Sequence, residues 1–185
     1  PYTSLAGALR EFFLEGRDVI AVAGTHGKTT TTALLAHILV TAGLSPSFLV
    51  GGVPLDYGSN FRLGEGRHFV IEGDEYDSAF FEKVPKFVLY RPRHLVLTSL
   101  EFDHADIYDN IGEIARWFRV GVNLVPSEGF VLSCGDYGAL ADVVRGSRSV
   151  TRTYGKEGGD FKWRKEGFDG EYTRLTVLGE GISLD

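Results

Sequence analysis

Methionine is absent from these 185 residues, cysteine occurs once, and no stretch reaches the ~18–20 apolar residues that a membrane-spanning helix needs. The lone Cys134 has no partner for an internal disulfide, which points to a reducing compartment. It falls in the apolar run 130–134 and is read as a small core residue. Clustered basic residues are also lacking. Lys and Arg number 19 against 25 Asp and Glu, for a net charge of −6. A nucleic-acid or anionic-membrane partner would require a basic block, so both are excluded as expectations. The acidic surplus suits solubility and metal-binding carboxylates instead. No signal peptide is visible, and the chain is expected to be cytoplasmic. With no initiator methionine and an opening at Pro1-Tyr2, the sequence is expected to be a piece of a longer protein. Hydrophobic residues make up 43%, enough for one domain that buries ~70% of its unfolded surface.

The most informative segment is DVIAVAGTHGKTTTTALLA, residues 18–36. A short apolar run (19–23) gives way to Gly24-Thr25-His26-Gly27-Lys28-Thr29-Thr30 and then to a helical pattern. Strand, glycine loop and helix start form the context in which Gly-Lys-Thr means phosphate binding. Glycines let backbone N–H groups wrap an anion, and the helix aims its free N–H groups and positive dipole end at the same point. Lys28 supplies a mobile charge for the outer phosphates and Thr29 a hydroxyl for a divalent metal. Val22 stands where the general P-loop pattern has a glycine, so this loop is shorter than that pattern. As an exposed loop residue, Lys28 is expected to contribute little to packing.

Around this segment the pattern predicts an alternation of helices and strands. Ser4 caps a short helix with Leu5, Leu9, Phe12 and Phe13 on one face, closing near Gly16. A helix over 28–42 turns Leu34, Leu35, Ile38 and Leu39 inward, with Gly43 as its C-terminal signal. Strands are expected at 48–50, 68–71, 95–100, 130–133 and 150–154, with helices at 111–122 and 139–144. Residues 55–67 show no periodicity. The fold class is therefore α/β: a P-loop, mostly parallel sheet flanked by helices. The tail, with 160–165 and 171–178 flanking Gly167-Phe168-Asp169-Gly170, reads as a small β hairpin or meander.

In parallel sheets, ligands gather at the carboxyl ends of the strands. Three expected strands deliver polar groups there: the loop after Ala23, Glu72 after Ile71, and Asp103-His104 after the 95–100 strand. Triphosphate chemistry needs a cation and carboxylates to hold it. Thr29, Glu72 and His104 are the candidate metal ligands. Because histidine suits Mg²⁺ poorly, ligation by His104 would make Mn²⁺ an effective substitute. His26 either contacts a substrate anion or bonds locally. No residue stands out as a covalent nucleophile.

The loop 24–30 without its upstream glycine, followed by Glu72-Gly73-Asp74-Glu75 and then Asp103-His104, resembles the central ATPase domain of the Mur ligases. These ATP-dependent amide ligases build peptidoglycan precursors. The resemblance implies ATP and Mg²⁺ as cofactors, Lys28, Glu72 and His104 as catalytic groups, and residues 24–30 as the nucleotide loop. His26 is similar to the branch that acts on the muramic carboxylate of UDP-N-acetylmuramate. EGDEYDSAFF (72–81) and LEFDHADIY (100–108) are similar to members that add the murein tripeptide L-alanyl-γ-D-glutamyl-meso-diaminopimelate rather than L-alanine. The resemblance also implies N-terminal UDP-binding and C-terminal domains outside these residues, without which the piece alone would bind ATP without turnover. Some relatives hold a second metal with a carbamylated lysine. Here no lysine lies between Lys86 and Lys156, and Arg119 occupies the corresponding helix.

Overall fold

The computed structural model describes residues 2–101, 110–156, 158–179 and 182–184. Its centre is a ten-stranded sheet in the order β12-β11-β10-β9-β8-β7-β1-β4-β2-β3. In chain order these are β1 (Asp18–Ala23), β2 (Ser47–Leu49), β3 (Phe61–Arg62), β4 (His68–Gly73), β7 (His94–Leu97), β8 (Phe130–Cys134), β9 (Val150–Gly155), β10 (Phe161–Phe168), β11 (Thr173–Gly179) and β12 (Ile182–Leu184). A separate antiparallel pair, β5 (Asp77–Ala79) and β6 (Glu82–Pro85), follows the acidic segment. From β2 across to β10 every neighbouring pair is parallel, and antiparallel strands occur only at the two edges. The expected α/β class and C-terminal hairpin are both present. Asp169 Oδ1 accepts the N–H groups of Glu171 and Tyr172 at 3.0 and 2.8 Å and so fixes the β10–β11 turn.

Alternation along β1 sorts the core into two layers. Val19, Ala21 and Ala23 face a cluster with Phe69, Ile71, Leu95 and Leu97, covered by α3 (Lys86–Leu89), α4 (Ile111–Leu124) and α5 (Gly138–Val144). Ile20 faces the other layer, where Phe48, Val50 and Val70 meet α2 (Lys28–Thr41). Two helical faces differ from expectation. On α2 the fully buried residues are Thr32 and Ala36, and Leu34 and Ile38 point outward. Leu35 and Leu39 pack against this layer as expected, the small Thr32 and Ala36 are the residues fully buried, and Thr32 satisfies its hydroxyl on Lys28 O at 2.8 Å. Near the N-terminus Ser4 does cap α1 (Leu5–Leu9), accepting Gly7 N–H at 3.0 Å. The chain then widens into a π-helical turn (Arg10–Leu14), which shifts the face; Ala6 and Leu14 are buried, and Leu5, Phe12 and Phe13 are exposed. Strand β7 is also shorter than expected, and residues 98–100 leave the sheet to serve the site. No helix among the described residues is long and apolar enough to cross a membrane.

Candidate functional site

Strand register brings the site together. Strand β1 lies between β4 and β7, with Ala23 opposite Gly73 on one side and Leu97 on the other. All three strands therefore end at one level, where the phosphate loop leaves β1, Glu72 stands on β4 beside Val22, and Thr98-Ser99 follow β7. The expectation that groups distant in sequence meet there holds for the loop and Glu72, whose Thr29–Glu72 bond spans 43 residues. His104, with Asp103 and Asp106, lies outside the described residues.

Within the loop, Gly27 has φ +80° and caps α2 without a side-chain partner. The first intrahelical bond is Thr31 N–H to Gly27 O at 3.0 Å, which leaves the amides of Lys28, Thr29 and Thr30 without an intrahelical acceptor. Those donors, with the positive helix end, make a face that can accept an anion. Thr30 is exposed on that first turn. Beside it, the start of α2 and residues 50–57 enclose a cleft of about 680 Å³ with Leu34, Val53 and Leu55 in its apolar walls.

The other half of the loop is tied to the β7 exit. Thr25 is buried, donates its N–H to Ser99 O at 3.3 Å, shares a hydroxyl bond of 3.0 Å with Ser99, and accepts Glu101 N–H at 3.1 Å. His26 donates its N–H to Ser99 Oγ at 2.7 Å, and its carbonyl accepts the Thr98 and Ser99 hydroxyls. Its imidazole Nε2 stands 3.3 Å from Glu101. Gly24 has φ +144° and lies so close to this exit that a Cβ would sit 2.1 Å from Thr98 Oγ1. Thr98 and Ser99 escaped the sequence reading because hydroxyls after an apolar run resemble an ordinary turn.

The three acids of the segment 72–75 separate into three roles. Glu72 accepts the Thr29 hydroxyl at 2.9 Å and the Gly51 N–H at 2.7 Å. Asp74 pairs with Lys86 at 2.6 Å and accepts Tyr76 N–H at 3.1 Å. Desolvation pushes the Asp74 carboxyl up, but the Lys86 and Tyr76 hydrogen bonds and the Lys86 and Lys28 charges hold it below its usual range. Burial raises the Tyr90 phenol, with Asp74 and Glu72 adding to the shift. Glu75 is buried and pairs with Lys28. Lys28 is correspondingly enclosed, with 13% of its side chain exposed, which corrects the expectation of a solvated loop lysine.

Thr29 and Glu72 offer hard oxygen donors beside a phosphate-binding face, which fits a Mg²⁺ held by one carboxylate, a hydroxyl and substrate phosphates. Among the described residues no cluster of three or more His, Cys, Asp or Glu side chains assembles a metal cage.

Fold and site define a P-loop α/β domain with a short phosphate loop and a carboxylate on the adjoining strand. The chain belongs to the Mur ligase family: the model of the Mur ligase middle domain matches residues 22–180. The UDP-N-acetylmuramate–L-alanyl-γ-D-glutamyl-meso-2,6-diaminoheptandioate ligase of Haemophilus influenzae is 40% identical over 181 residues, 97% of this chain and 39% of that protein. Its Escherichia coli counterpart is 50% identical over 132 residues, 71% of this chain and 29% of that protein. The crystal structure of the corresponding ligase from Neisseria meningitides superposes with a TM-score of 0.88 at 41% identity, covering 99% of this chain and 58% of that one. The chain thus spans well under half the length of these two curated relatives.

Proposed function

We propose that this chain is the ATP-binding domain of an amide ligase that joins L-alanyl-γ-D-glutamyl-meso-diaminopimelate to UDP-N-acetylmuramate. The observation that carries the reading is the meeting of the phosphate loop with Glu72 through Thr29, in a chain 40–50% identical to relatives named for that reaction. The reaction runs in two displacements. A muramic carboxylate oxygen takes the γ-phosphoryl group of ATP and ADP leaves. The tripeptide amine then attacks the acyl carbon, phosphate departs with the C–O bonding electrons, and the amine gives up its proton.

This chain's residues contribute position and charge rather than a nucleophile. The amides of residues 28–30 and the α2 dipole hold the phosphates, and Lys28 neutralises charge on the transferring group. Thr29 and Glu72 would hold Mg²⁺, which when bound offsets phosphate charge. His104 would serve a second metal ion, with Mn²⁺ able to replace Mg²⁺. The chain spans 39% and 29% of the two curated relatives, which supports N- and C-terminal domains of the same protein for UDP binding and amine selection, without which the 185 residues would bind nucleotide but not turn over. The setting is cytoplasmic, where ATP is available.

The test is a ligation assay on the intact protein with UDP-N-acetylmuramate, comparing the tripeptide with L-alanine. A far higher specificity constant for the tripeptide is expected, because a site built for a charged peptide leaves polar groups unpaired around a small amino acid. A higher constant for L-alanine would overturn the substrate and leave the family membership standing.

A further inference from the structure

An ammonium has three protons to donate. In Lys28, Nζ lies 2.7 Å from Gly24 O, 3.0 and 2.9 Å from the two Glu75 oxygens, and 3.4 Å from Thr25 O. The Glu75 side chain is only 1% exposed, so the cation beside it offsets part of the cost of burying its charge. Neither neighbouring acid is placed to take over Lys28, since Glu72 is engaged by Thr29 and Gly51, and Asp74 by Lys86. A phosphate that recruits Lys28 must draw the ammonium away from a partner that is charged, close and shielded from solvent.

We propose that Glu75 is a positioning residue that holds Lys28 folded onto its own loop, and that nucleotide phosphates bind by exchanging with the Glu75 carboxylate for the ammonium. The inference rests on the nucleotide reading of the loop given above and adds a loading threshold to it. The apparent dissociation constant is raised by the inverse of the fraction of molecules in which Lys28 is released. Glu75 therefore weakens nucleotide binding, whereas a residue that merely supports the loop would strengthen it.

The experiment titrates MgADP into the intact protein and into Glu75→Gln, Lys28→Ala and the double variant. Glu75→Gln should tighten binding roughly three- to tenfold when Lys28 is present. In the Lys28→Ala background the same change should leave affinity within about twofold. Weaker or unchanged binding in Glu75→Gln would overturn the proposal. So would equal tightening without Lys28, which would mean general repulsion between a carboxylate and phosphates. If Glu75→Gln does not fold, Glu75→Asp keeps the charge but withdraws it by one methylene; smaller tightening supports exchange, and affinity at or below the parent's rejects it. A parent protein that does not bind MgADP would overturn the nucleotide reading and this inference together, whereas the other failures remove the inference alone.

Discussion

The Thr29 hydroxyl, on the first turn of α2, donates to Glu72 Oε1 at the end of β4 across 2.9 Å. This bond joins the phosphate loop to the carboxylate of a neighbouring strand and creates a pair of oxygen donors that neither segment has alone. Removing either donor should weaken metal capture. Glu72→Ala is expected to raise the Mg²⁺ concentration for half-maximal ligation by about 10–100-fold. Thr29→Ala should act in the same direction with a smaller shift. His104→Ala should also raise the requirement and reduce the relative advantage of Mn²⁺ over Mg²⁺. Metal titrations of Glu72→Ala that overlay the parent would remove Glu72 from the site.

Lys28→Ala should abolish ligation, and it should also lower stability. With 13% of its side chain exposed and a buried carboxylate as its partner, Lys28 cannot be deleted without removing a close cation from the buried Glu75. The loss is expected at about 2–4 kcal/mol in urea denaturation. Adding Glu75→Ala should recover a substantial part of that stability without restoring ligation. Wild-type turnover in Lys28→Ala would sink the assignment of Lys28 to the phosphates.

The two loop glycines should differ in tolerance. A Cβ on Gly24 would lie 2.1 Å from Thr98 Oγ1 and 2.8 Å from Ser99 N, so Gly24→Ala forces the loop off the β7 exit. Its cost is expected to exceed about 2 kcal/mol, with loss of nucleotide binding. At Gly27 the nearest atom is 3.9 Å away, and only the φ of +80° opposes a side chain. Gly27→Ala should cost about 1–2 kcal/mol. Equal melting temperatures for the two variants would contradict this contrast.

Asp18, at the opposite end of β1, should shape the acid limb of stability. Burial raises its carboxyl, but the Arg67 hydrogen bond and the charges of Arg67, Arg93 and His68 outweigh it and hold it below the ordinary value of 3.8. The stabilisation is therefore complete above that value and lost as pH falls through the lower folded value. Asp18→Asn should cost about 1–2 kcal/mol at neutral pH and flatten the fall in stability below about pH 4. Parallel stability curves for parent and variant across that range would contradict the assignment.

Much of this protein follows from local sequence. Apolar runs of strand length interleaved with helical patterns dictate a parallel sheet covered on both faces, because neither element can bury its apolar side alone. Gly24 to Thr30 between such a run and a helix start marks the phosphate loop, since backbone amides and a lysine are local properties. Glu72 was legible because it comes at the end of an apolar run of strand length, although β4 continues through it to Gly73. Other features depend on contacts between distant segments. The inward faces of α1 and α2 were set by a π-helical turn and by packing on the sheet, which put Thr32 and Ala36 inside and Leu34 and Ile38 outside. The Thr98-Ser99 clasp and the Lys28–Glu75 pair arise only when β1 lies between β4 and β7. Strand register determines which side chains share one end of a sheet, and burial then decides which acid meets the Thr29 hydroxyl, which meets a lysine at the surface, and which meets the enclosed lysine of the loop.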